Sequence, residues 1–383
     1  MMRQMRQVVP ANWYNAGVNI SQTDKTLTIA LEAALAARAD SFDPRHESAF
    51  RLFNGFTEGC PLLVADLYGQ TLVLHIYANP PELASTLRDV AADFYLSHLP
   101  WLRAVLVKAR AADTEEARKG ILMHGQTLDR FVSENGVWYA VDLRINQDAG
   151  LYLDTRHLRE WLKENSSGKT VLNTFAYTGS LGVAARAGGA SRVMHLDLNR
   201  SFLNVGKDSY LRNGFPLDRM GFMAGDFWPQ ISRLKREGAR FDCVIVDPPI
   251  FSHTRRGTVD LGEDSRRVLN KVRPLIADGG TLVTINNALF VNGESYLSML
   301  NELCADGYLT LESLVPVPQD FIGAQAGTAT FPTDPAPFNH PTKIAILRVR
   351  RKDAGNQDTE HKDAGDRDAG YTETDFQNLS AGE

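Results

Sequence analysis

Residues 171–197, VLNTFAYTGSLGVAARAGGASRVMHLD, decide the fold of this chain. A short apolar run leads into the loop 173–179, and an alanine-rich helical pattern then extends over 180–187. A glycine pair ends that pattern, and a second apolar run ends in Asp197. The stretch predicts a strand, a loop, a helix, a second strand and a terminal acid. In such a unit the helix amides bind an anion, and the acid accepts hydrogen bonds from ribose hydroxyls.

The loop before the helix distinguishes between two classes of nucleoside cofactor. A dinucleotide requires several glycines where its pyrophosphate crosses the helix start, whereas this loop has one, Gly179, together with the bulky residues Phe175 and Tyr177. S-adenosylmethionine (SAM) has no pyrophosphate and tolerates such a loop. The loop therefore favours SAM, and a βαβ unit without a ligand is the alternative on this stretch alone.

A second motif lies at residues 241–252, FDCVIVDPPIFS. An apolar strand runs into Asp247 and two prolines, which lack an N–H group and hold the local carbonyls as rigid acceptors. These carbonyls and Asp247 can accept hydrogen bonds from the amine or ring N–H of a base, and Phe251 can stack on a flat ring. An ordinary strand exit is the alternative, but the order of the two motifs in an alternating strand and helix pattern favours a binding role.

The pairing of N-x-F-x-Y-T-G with D-P-P-x-F-S resembles class I SAM-dependent methyltransferases, specifically the bacterial large-subunit ribosomal RNA methyltransferases of the RlmI and RlmK type. The resemblance runs from about Arg51 to Arg350. Besides the two motifs it includes the stretches 51–55 (RLFNG), 63–69 (LVADLYG), 148–156 (DAGLYLDTR) and 340–343 (HPTK). It implies an α/β fold with a Rossmann-like, mostly parallel sheet that has helices on both faces, preceded by a small α+β domain.

Site residues follow partly from the motifs and partly from the resemblance. The resemblance implies that Asp154 and Arg156 belong to the SAM site. Asp226, after the third strand, can accept the adenine amino group or cap the next helix, and both roles are compatible. The expected cofactor-binding residues are Asp154, Arg156, Asn173, Phe175, Ala176, Tyr177, Gly179, Asp197, Asn199, Ser201, Asp226 and Asp247. The expected catalytic residues are Asp247, Pro248, Phe251 and Asn286.

Composition is that of a globular protein, and the charge is concentrated at the end of the chain. Of 383 residues 43% are hydrophobic and 23% charged, with a formal net charge of -5. The stretch 351–383 carries four Lys or Arg and nine Asp or Glu, so that the rest of the chain has 37 of each sign. A nucleic-acid binder is often basic, and RNA contact here therefore requires a local basic patch.

The three cysteines, Cys60, Cys243 and Cys304, have no metal-ligand spacing and indicate a reducing, cytoplasmic location. The sequence shows no apolar run long enough to span a membrane, and no metal is expected. We expect an N-terminal helical segment over 1–45, a small and possibly RNA-binding α+β domain over 46–145, a methyltransferase domain over 146–350 and a disordered acidic tail over 351–383. Relatives commonly carry an N-terminal PUA domain, for which the first segment is too short and too helical.

The target atom is predicted from a missing thiol. Methylation of cytosine carbon 5 requires a nucleophile on carbon 6, and RNA enzymes use a cysteine for it. RlmI-like members have this cysteine after the fifth strand, where this chain has Asn286-Asn287. The asparagines resemble the RlmK type, which implies direct methylation of a guanine nitrogen of ribosomal RNA. A monomer or a homodimer is expected. A cytosine carbon-5 methyltransferase, a methyltransferase of a protein or small molecule, and a catalytically silent RNA-binding module are the alternatives.

Overall fold

The computed structural model describes residues 20–110, 112–218, 220–254, 257–262, 265–323, 331 and 333–351. The predicted acidic tail beyond Arg351, the first 19 residues of the N-terminal segment and the basic pair Arg255-Arg256 lie outside these ranges. The predicted N-terminal helix is present as α1 (Ile20–Ala37).

A five-stranded sheet precedes the larger one, within the stretch where the sequence predicts a small α+β domain. Its strands, in spatial order, are β1 (Ala49–Asn54), β2 (Leu63–Tyr68), β3 (Thr71–Ile76), β4 (Ala104–Ala109) and β5 (Ile121–His124). Helix α2 (Pro81–His98) connects β3 to β4, which therefore pair in parallel, while the other neighbours are antiparallel. A short helix, α3 (Glu115–Lys119), leads into the edge strand β5.

The two faces of this first sheet have different partners because side chains alternate along a strand. Leu72, Leu74 and the other apolar side chains on the same face pack against α1 and α2. Val73, Tyr68 and other residues of the opposite face belong to the core of the larger sheet. The two sheets therefore share one apolar core.

A hairpin connects the two sheets. It consists of β6 (Phe131–Glu134) and β7 (Val137–Ala140), with Asn135 and Gly136 both in the left-handed region at φ 51° and 76°. This is the turn that an Asn-Gly pair favours. The main chain of Trp138 exchanges hydrogen bonds of 2.9 and 2.6 Å with the side chain of Asn213, on the larger sheet's side. A domain boundary near residue 145 therefore stays a prediction.

The larger sheet contains seven strands in the order β10-β9-β8-β11-β14-β16-β15. Their bounds are β8 (Thr170–Thr174), β9 (Arg192–Asp197), β10 (Phe222–Ala224), β11 (Phe241–Val246), β14 (Ile276–Asn286), β15 (Leu309–Leu314) and β16 (Lys343–Val349). The first five in this order pair in parallel, and β16 is antiparallel to both of its neighbours. The order reverses between β8 and β11, the position at which open α/β sheets bind ligands.

Helices cover both faces of this sheet, which confirms the predicted fold class. The helices are α4 (Arg156–Asn165), α5 (Ser180–Ala187), α6 (Arg200–Arg212), α7 (Phe227–Arg236), α8 (Ser265–Val272) and α9 (Gly293–Cys304). Val171 packs with α4, α5 and α6, whereas its neighbour Leu172 packs with α7, α8 and α9. Apolar residues at consecutive positions are thus both buried, as in a sheet covered on each side.

Three features were not expected from the sequence. The residues of β1 were recognised only as part of a family motif, and β5 was not anticipated. The segment after the Pro-Pro motif forms a second hairpin from β12 (Phe251–Thr254) and β13 (Gly257–Asp260), which the motif does not predict. Val259 of this hairpin packs in the same core cluster as Val246 of β11.

The linker 146–152 passes between the two sheets, and buried side chains bind its carbonyl groups. Lys108 of the first sheet donates to the carbonyls of Asn146 and Asp148 at 2.9 and 2.8 Å. The other donors are Thr178 to Gly150, Tyr68 to Leu151 and Arg159 to Tyr152, at 2.5, 3.0 and 2.7 Å. Donors from both sheets therefore fix the path of the linker.

Among the described residues, no helix has the length and apolar content needed to cross a membrane. The same part of the chain contains no group of three or more His, Cys, Asp or Glu side chains that could hold a metal ion.

Arg159 forms a buried ion pair with Glu134 of the hairpin, with side chains 1% and 4% exposed and an Nε–Oε2 distance of 2.6 Å. We expect Arg159→Ala to lower the free energy of unfolding by about 3–5 kcal/mol, because Glu134 would stay buried without its partner. Denaturant unfolding measures the loss. Arg192→Ala is the control: that arginine lies 3.8 Å from Asp218 in an exposed pair, which should contribute about 0–1 kcal/mol. If both variants lost the same free energy of unfolding, the buried pair would not stabilise the fold more than the exposed pair does.

Candidate active site

A cavity of about 420 Å³ lies at the carboxyl ends of β8, β9, β10 and β11. Its lining includes eight of the residues expected from the sequence, Asp154, Phe175, Tyr177, Asp197, Asn199, Asp226, Asp247 and Pro248. All of them except Asp154, which precedes α4, end or follow one of these strands. The strands bring them together because the carboxyl ends of parallel strands meet at one edge of the sheet. We call this space the cofactor cavity.

Asp197, the last residue of β9, is held in place by the main chain. Its Oδ2 accepts from the Tyr177 N–H and its Oδ1 from the Asn199 N–H, both at 2.8 Å. Burial raises the pKa of the carboxyl above its usual range. Each oxygen has further acceptor capacity, and the carboxylate can therefore accept two hydroxyl groups of a ribose in the cavity.

The loop before α5 contains two residues in an uncommon backbone conformation. Phe175 and Tyr177 have φ values of 53° and 51°, a region that bulky residues rarely occupy. The Phe175 ring stacks on Phe227 at a centroid distance of 4.6 Å, and Tyr177 contacts Tyr152 at 5.2 Å. Such strained residues cluster at binding sites, and here they bring two aromatic rings into the cofactor cavity.

Asp226 caps a helix and also lines the cofactor cavity. Its Oδ1 accepts from the Trp228 N–H at 2.9 Å and caps helix α7. The same residue lines the cofactor cavity. The second carboxylate oxygen can accept from an amino group there.

Asp247 follows β11 and lies half-buried in the cavity wall. Burial, together with the nearby charge of Asp154, raises its pKa to about 7. Asp154 accepts a hydrogen bond of 2.9 Å from the Thr342 hydroxyl, and burial raises its pKa as well. Asp247 is therefore a carboxyl group that can change protonation state near neutral pH.

Five of the expected cofactor-binding residues do not line the cavity. Arg156 pairs with Asp320 at 2.5 Å, and Ser201 donates its main-chain N–H to Asn199. The remaining three, Asn173, Ala176 and Gly179, belong to β8 and the loop that carries the two aromatic rings. At Gly179, where φ is 77°, a Cβ atom would lie 3.0 Å from His195 Nδ1. Asn173, Ala176 and Gly179 are buried and support the loop from behind the cavity surface.

Two of the expected catalytic residues have different surroundings from those predicted. Asn286 is fully buried; its amide donates to Leu261 O and to Ser265 Oγ, each at 3.3 Å, and its Oδ1 accepts from the Ala288 N–H at 3.0 Å. Phe251 is 56% exposed and lies outside the cavity lining. Alternation along β12 turns Ser252 and Thr254 toward the cavity instead.

The expected list omits several residues that line the cavity, namely Asn146, Tyr152, Phe202, Trp228, Asn287 and Thr342. Tyr152 and Thr342 lie within stretches that carry the family resemblance, which is the signal that could have identified them. Asn287 and Trp228 each have a buried polar atom, Oδ1 and Nε1, with no hydrogen-bond partner among the described residues. Unpartnered buried atoms at a cavity indicate places for ligand groups.

The cavity residues fit SAM. Asp197 offers acceptors for the ribose hydroxyls, Asp226 an acceptor for the adenine amino group, and Phe175 with Phe227 an apolar surface for the adenine ring. Asp154 and Asp247 provide negative charge for the cationic part of the cofactor. When bound, SAM supplies an electrophilic methyl group.

The sheet order, the reversed β16 and this cavity define a class I SAM-dependent methyltransferase. A family model described as "S-adenosylmethionine-dependent methyltransferase" matches residues 103–308. The chain belongs to this family, which confirms SAM as its cofactor.

Similar proteins include named ribosomal RNA methyltransferases. Ribosomal RNA large subunit methyltransferase K of Neisseria meningitidis serogroup B (strain ATCC BAA-335 / MC58) is 31% identical over 67% of this chain and 73% of its own length. Ribosomal RNA large subunit methyltransferase I of Aeromonas salmonicida (strain A449) is 28% identical over 68% of this chain, and the match spans 65% of that protein. The protein named "Putative ribosomal RNA large subunit methyltransferase YwbD" of Bacillus subtilis (strain 168) is 30% identical over 67% of this chain and 65% of its own length.

Among solved structures, SMU.776 in complex with S-adenosylhomocysteine superposes with a TM-score of 0.74 at 20% identity, covering 88% of this chain and 83% of that one. The superposition confirms the fold.

Asp197→Ala should weaken SAM binding by about 1–3 kcal/mol, because hydrogen bonds to a charged acceptor are lost. Isothermal titration with SAM and with S-adenosylhomocysteine measures the change, which should be similar for the two because both contain the ribose. Asp218→Ala is the matched control, since this acid is 52% exposed and lies outside the cavity. Unchanged affinity in the Asp197 variant would mean that the carboxylate does not hold the ribose.

Proposed function

We propose that this protein transfers the methyl group of SAM directly to a guanine nitrogen of ribosomal RNA, without a covalent enzyme intermediate. The observation that carries the proposal is that Asp247 and Asn287 both line the cofactor cavity. The names of the relatives support ribosomal RNA as the substrate, and the type K relative is 31% identical.

The acceptors beside Asp247 suit an amino group. Pro248 and Pro249 add carbonyl groups without competing N–H donors, and Asn287 Oδ1 is a buried acceptor without a partner among the described residues. A guanine amino or ring N–H group can donate to these oxygens, which orients its nitrogen toward the methyl group. Asp247 can take up the proton that the nitrogen loses. We assign the orienting role to Asn287, because every polar atom of Asn286 is already bonded.

The cysteines support a mechanism without a thiolate. Cys60, Cys243 and Cys304 all lie within the described ranges, and none lines the cofactor cavity. Burial raises the pKa of Cys243 to about 12 and that of Cys60 to about 11. Both are therefore protonated near neutral pH, whereas a nucleophile on cytosine carbon 6 must be a thiolate.

Mass spectrometry of the reaction product tests this function. The purified protein should transfer a labelled methyl group from SAM to ribosomal RNA taken from a strain in which its gene is deleted, and the nucleoside formed should be an N-methylguanosine. That nucleoside should also be missing from the RNA of the deletion strain. RNA from the parent strain, already methylated, is the control and should accept little label. 5-Methylcytidine as the product would favour the cytosine alternative, and label in protein or a small molecule would end the RNA assignment.

The raised pKa of Asp247 predicts a pH dependence. The carboxylate accepts a proton only when ionised, and in the cofactor-free protein its pKa of about 7 leaves it protonated at lower pH. The kcat/KM for SAM should therefore fall about tenfold per pH unit below pH 7 and level off above it. Asp154→Asn removes a neighbouring negative charge and should therefore lower the pH below which kcat/KM falls.

Asp247→Asn is the test of the assignment, because it keeps the shape and removes the titrating group. It should lower kcat by roughly 10²–10⁴ and abolish the fall in kcat/KM below pH 7. A variant that retains the parental pH profile would show that another group takes up the proton.

A further inference from the structure

A second cavity, of about 210 Å³, lies between the first sheet and the linker. It shares Tyr152 and Asp154 with the cofactor cavity, and its remaining walls come from β1, β2 and β3, from the linker, and from single residues elsewhere in the chain. The transfer step described above uses none of the side chains on these strands. We call this space the inter-sheet cavity.

The charges of the inter-sheet cavity are paired. Arg51 Nε lies 2.8 Å from Asp66 Oδ1, and Arg110 Nη2 lies 3.4 Å from Asp148 Oδ1. Burial opposes ionisation of Asp66, but the charge of Arg51 outweighs it and holds the pKa of the carboxyl well below its usual range. Since each arginine already faces a carboxylate, the cavity suits a neutral polar ligand better than a phosphate.

His75 provides an unused acceptor. It is 7% exposed, and its Nε2 lies 3.4 Å from Asp66 Oδ2. Burial lowers its pKa despite the neighbouring carboxylate, so the ring is neutral near pH 7. The contact with Asp66 places the proton on Nε2 and leaves a lone pair on Nδ1. Within the described ranges, this buried Nδ1 has no hydrogen-bond partner.

Donors lie in the same cavity. Arg51 directs N–H groups to Asp66 and Asn54 and has others to donate. Its guanidinium lies 3.9 Å from the centroid of the Phe321 ring, which also lines the cavity. The cavity thus combines an acceptor, donors and a flat aromatic surface.

We propose that the inter-sheet cavity binds an unpaired nucleobase adjacent in the RNA strand to the nucleotide that is methylated. The Watson–Crick edge of each base presents a donor beside an acceptor, which match His75 Nδ1 and the Arg51 guanidinium. Only an unpaired base exposes that edge, and single-stranded RNA is recognised through it. Because Tyr152 and Asp154 line both cavities, a base in the inter-sheet cavity lies next to the nucleotide that receives the methyl group. The inference rests on the proposed function and gives the first sheet a substrate-binding role.

Substitutions at His75 show whether the ring accepts a hydrogen bond from the RNA or only fills space in the cavity wall. His75→Ala should raise the KM for RNA about tenfold, the effect of one lost buried hydrogen bond. In His75→Asn the amide oxygen can occupy the place of Nδ1, and this variant should regain most of the affinity. In His75→Gln the amide can reach Asp66 but leaves no acceptor at that place, and the defect should persist. A role of His75 in holding Asp66 alone predicts the opposite order.

A control and two further measurements keep the result interpretable. His46 also has a buried Nδ1 without a partner among the described residues, and it lies outside both cavities. His46→Asn should leave the KM for RNA unchanged. Thermal unfolding and SAM titration show whether each variant is folded with an intact cofactor cavity.

RNA with single abasic nucleotides identifies the bound base. Around the methylated position, removal of one adjacent base should raise the KM of the parental protein about tenfold and have little further effect in His75→Ala, because the same contact is lost in both. The inference would be overturned if the effects of base removal and of His75→Ala on KM added at every position, or if a folded His75→Ala protein had an unchanged KM. Methylation of RNA would stand in either case. If the parental protein methylates no RNA, the proposed function fails and the inference with it.

Discussion

The carbonyl groups of the linker impose the constraint on which the rest of the structure depends. A buried carbonyl without a hydrogen-bond donor costs about 1–3 kcal/mol, and several of them lie in succession between the two sheets. The donors are side chains from both sides, among them Lys108 and Tyr68 of the first sheet and Thr178 of the loop before α5. The linker can therefore adopt this path only when both sheets are in place. This requirement explains why a lysine is fully buried in the first sheet.

The path of the linker has a direct consequence for the chemistry. It places Tyr152 and Asp154 in the wall between the cofactor cavity and the inter-sheet cavity. The negative charge of Asp154 then contributes to the raised pKa of Asp247. A cofactor with positive charge favours the ionised form of both acids. Binding of the cofactor and readiness of Asp247 to accept a proton are thus coupled through the same two carboxyl groups.

The sequence predicts the larger sheet well because its information is local. Four of its five parallel strands are followed directly by a helix, and β11 is followed by the second hairpin and then a helix. The apolar runs, glycines and terminal acids show most of these units within about 30 residues. The first sheet is harder to predict. Strand β5 (residues 121–124) is at the sheet edge and has exposed residues at most positions, so it lacks the alternation that marks a half-buried strand. The Asn-Gly pair predicts the turn of the hairpin but not the part of the chain against which the hairpin packs. That contact is made by Asn213, far along the chain.

The site shows the same division between local and distant information. Asp197 and Asp247 both line the cavity, because each ends or directly follows a buried parallel strand and such strand ends meet at one edge of the sheet. Arg156 could not be placed in this way, because its partner Asp320 is 164 residues distant. The two asparagines after β14 show a finer limit. Asn286 continues the strand and turns toward α8, where Ser265 and Leu261 bind its amide, and only the next residue, Asn287, reaches the cavity. Adjacent positions on a strand face opposite sides, so a shift of one residue decides whether the same amide supports the fold or meets the ligand.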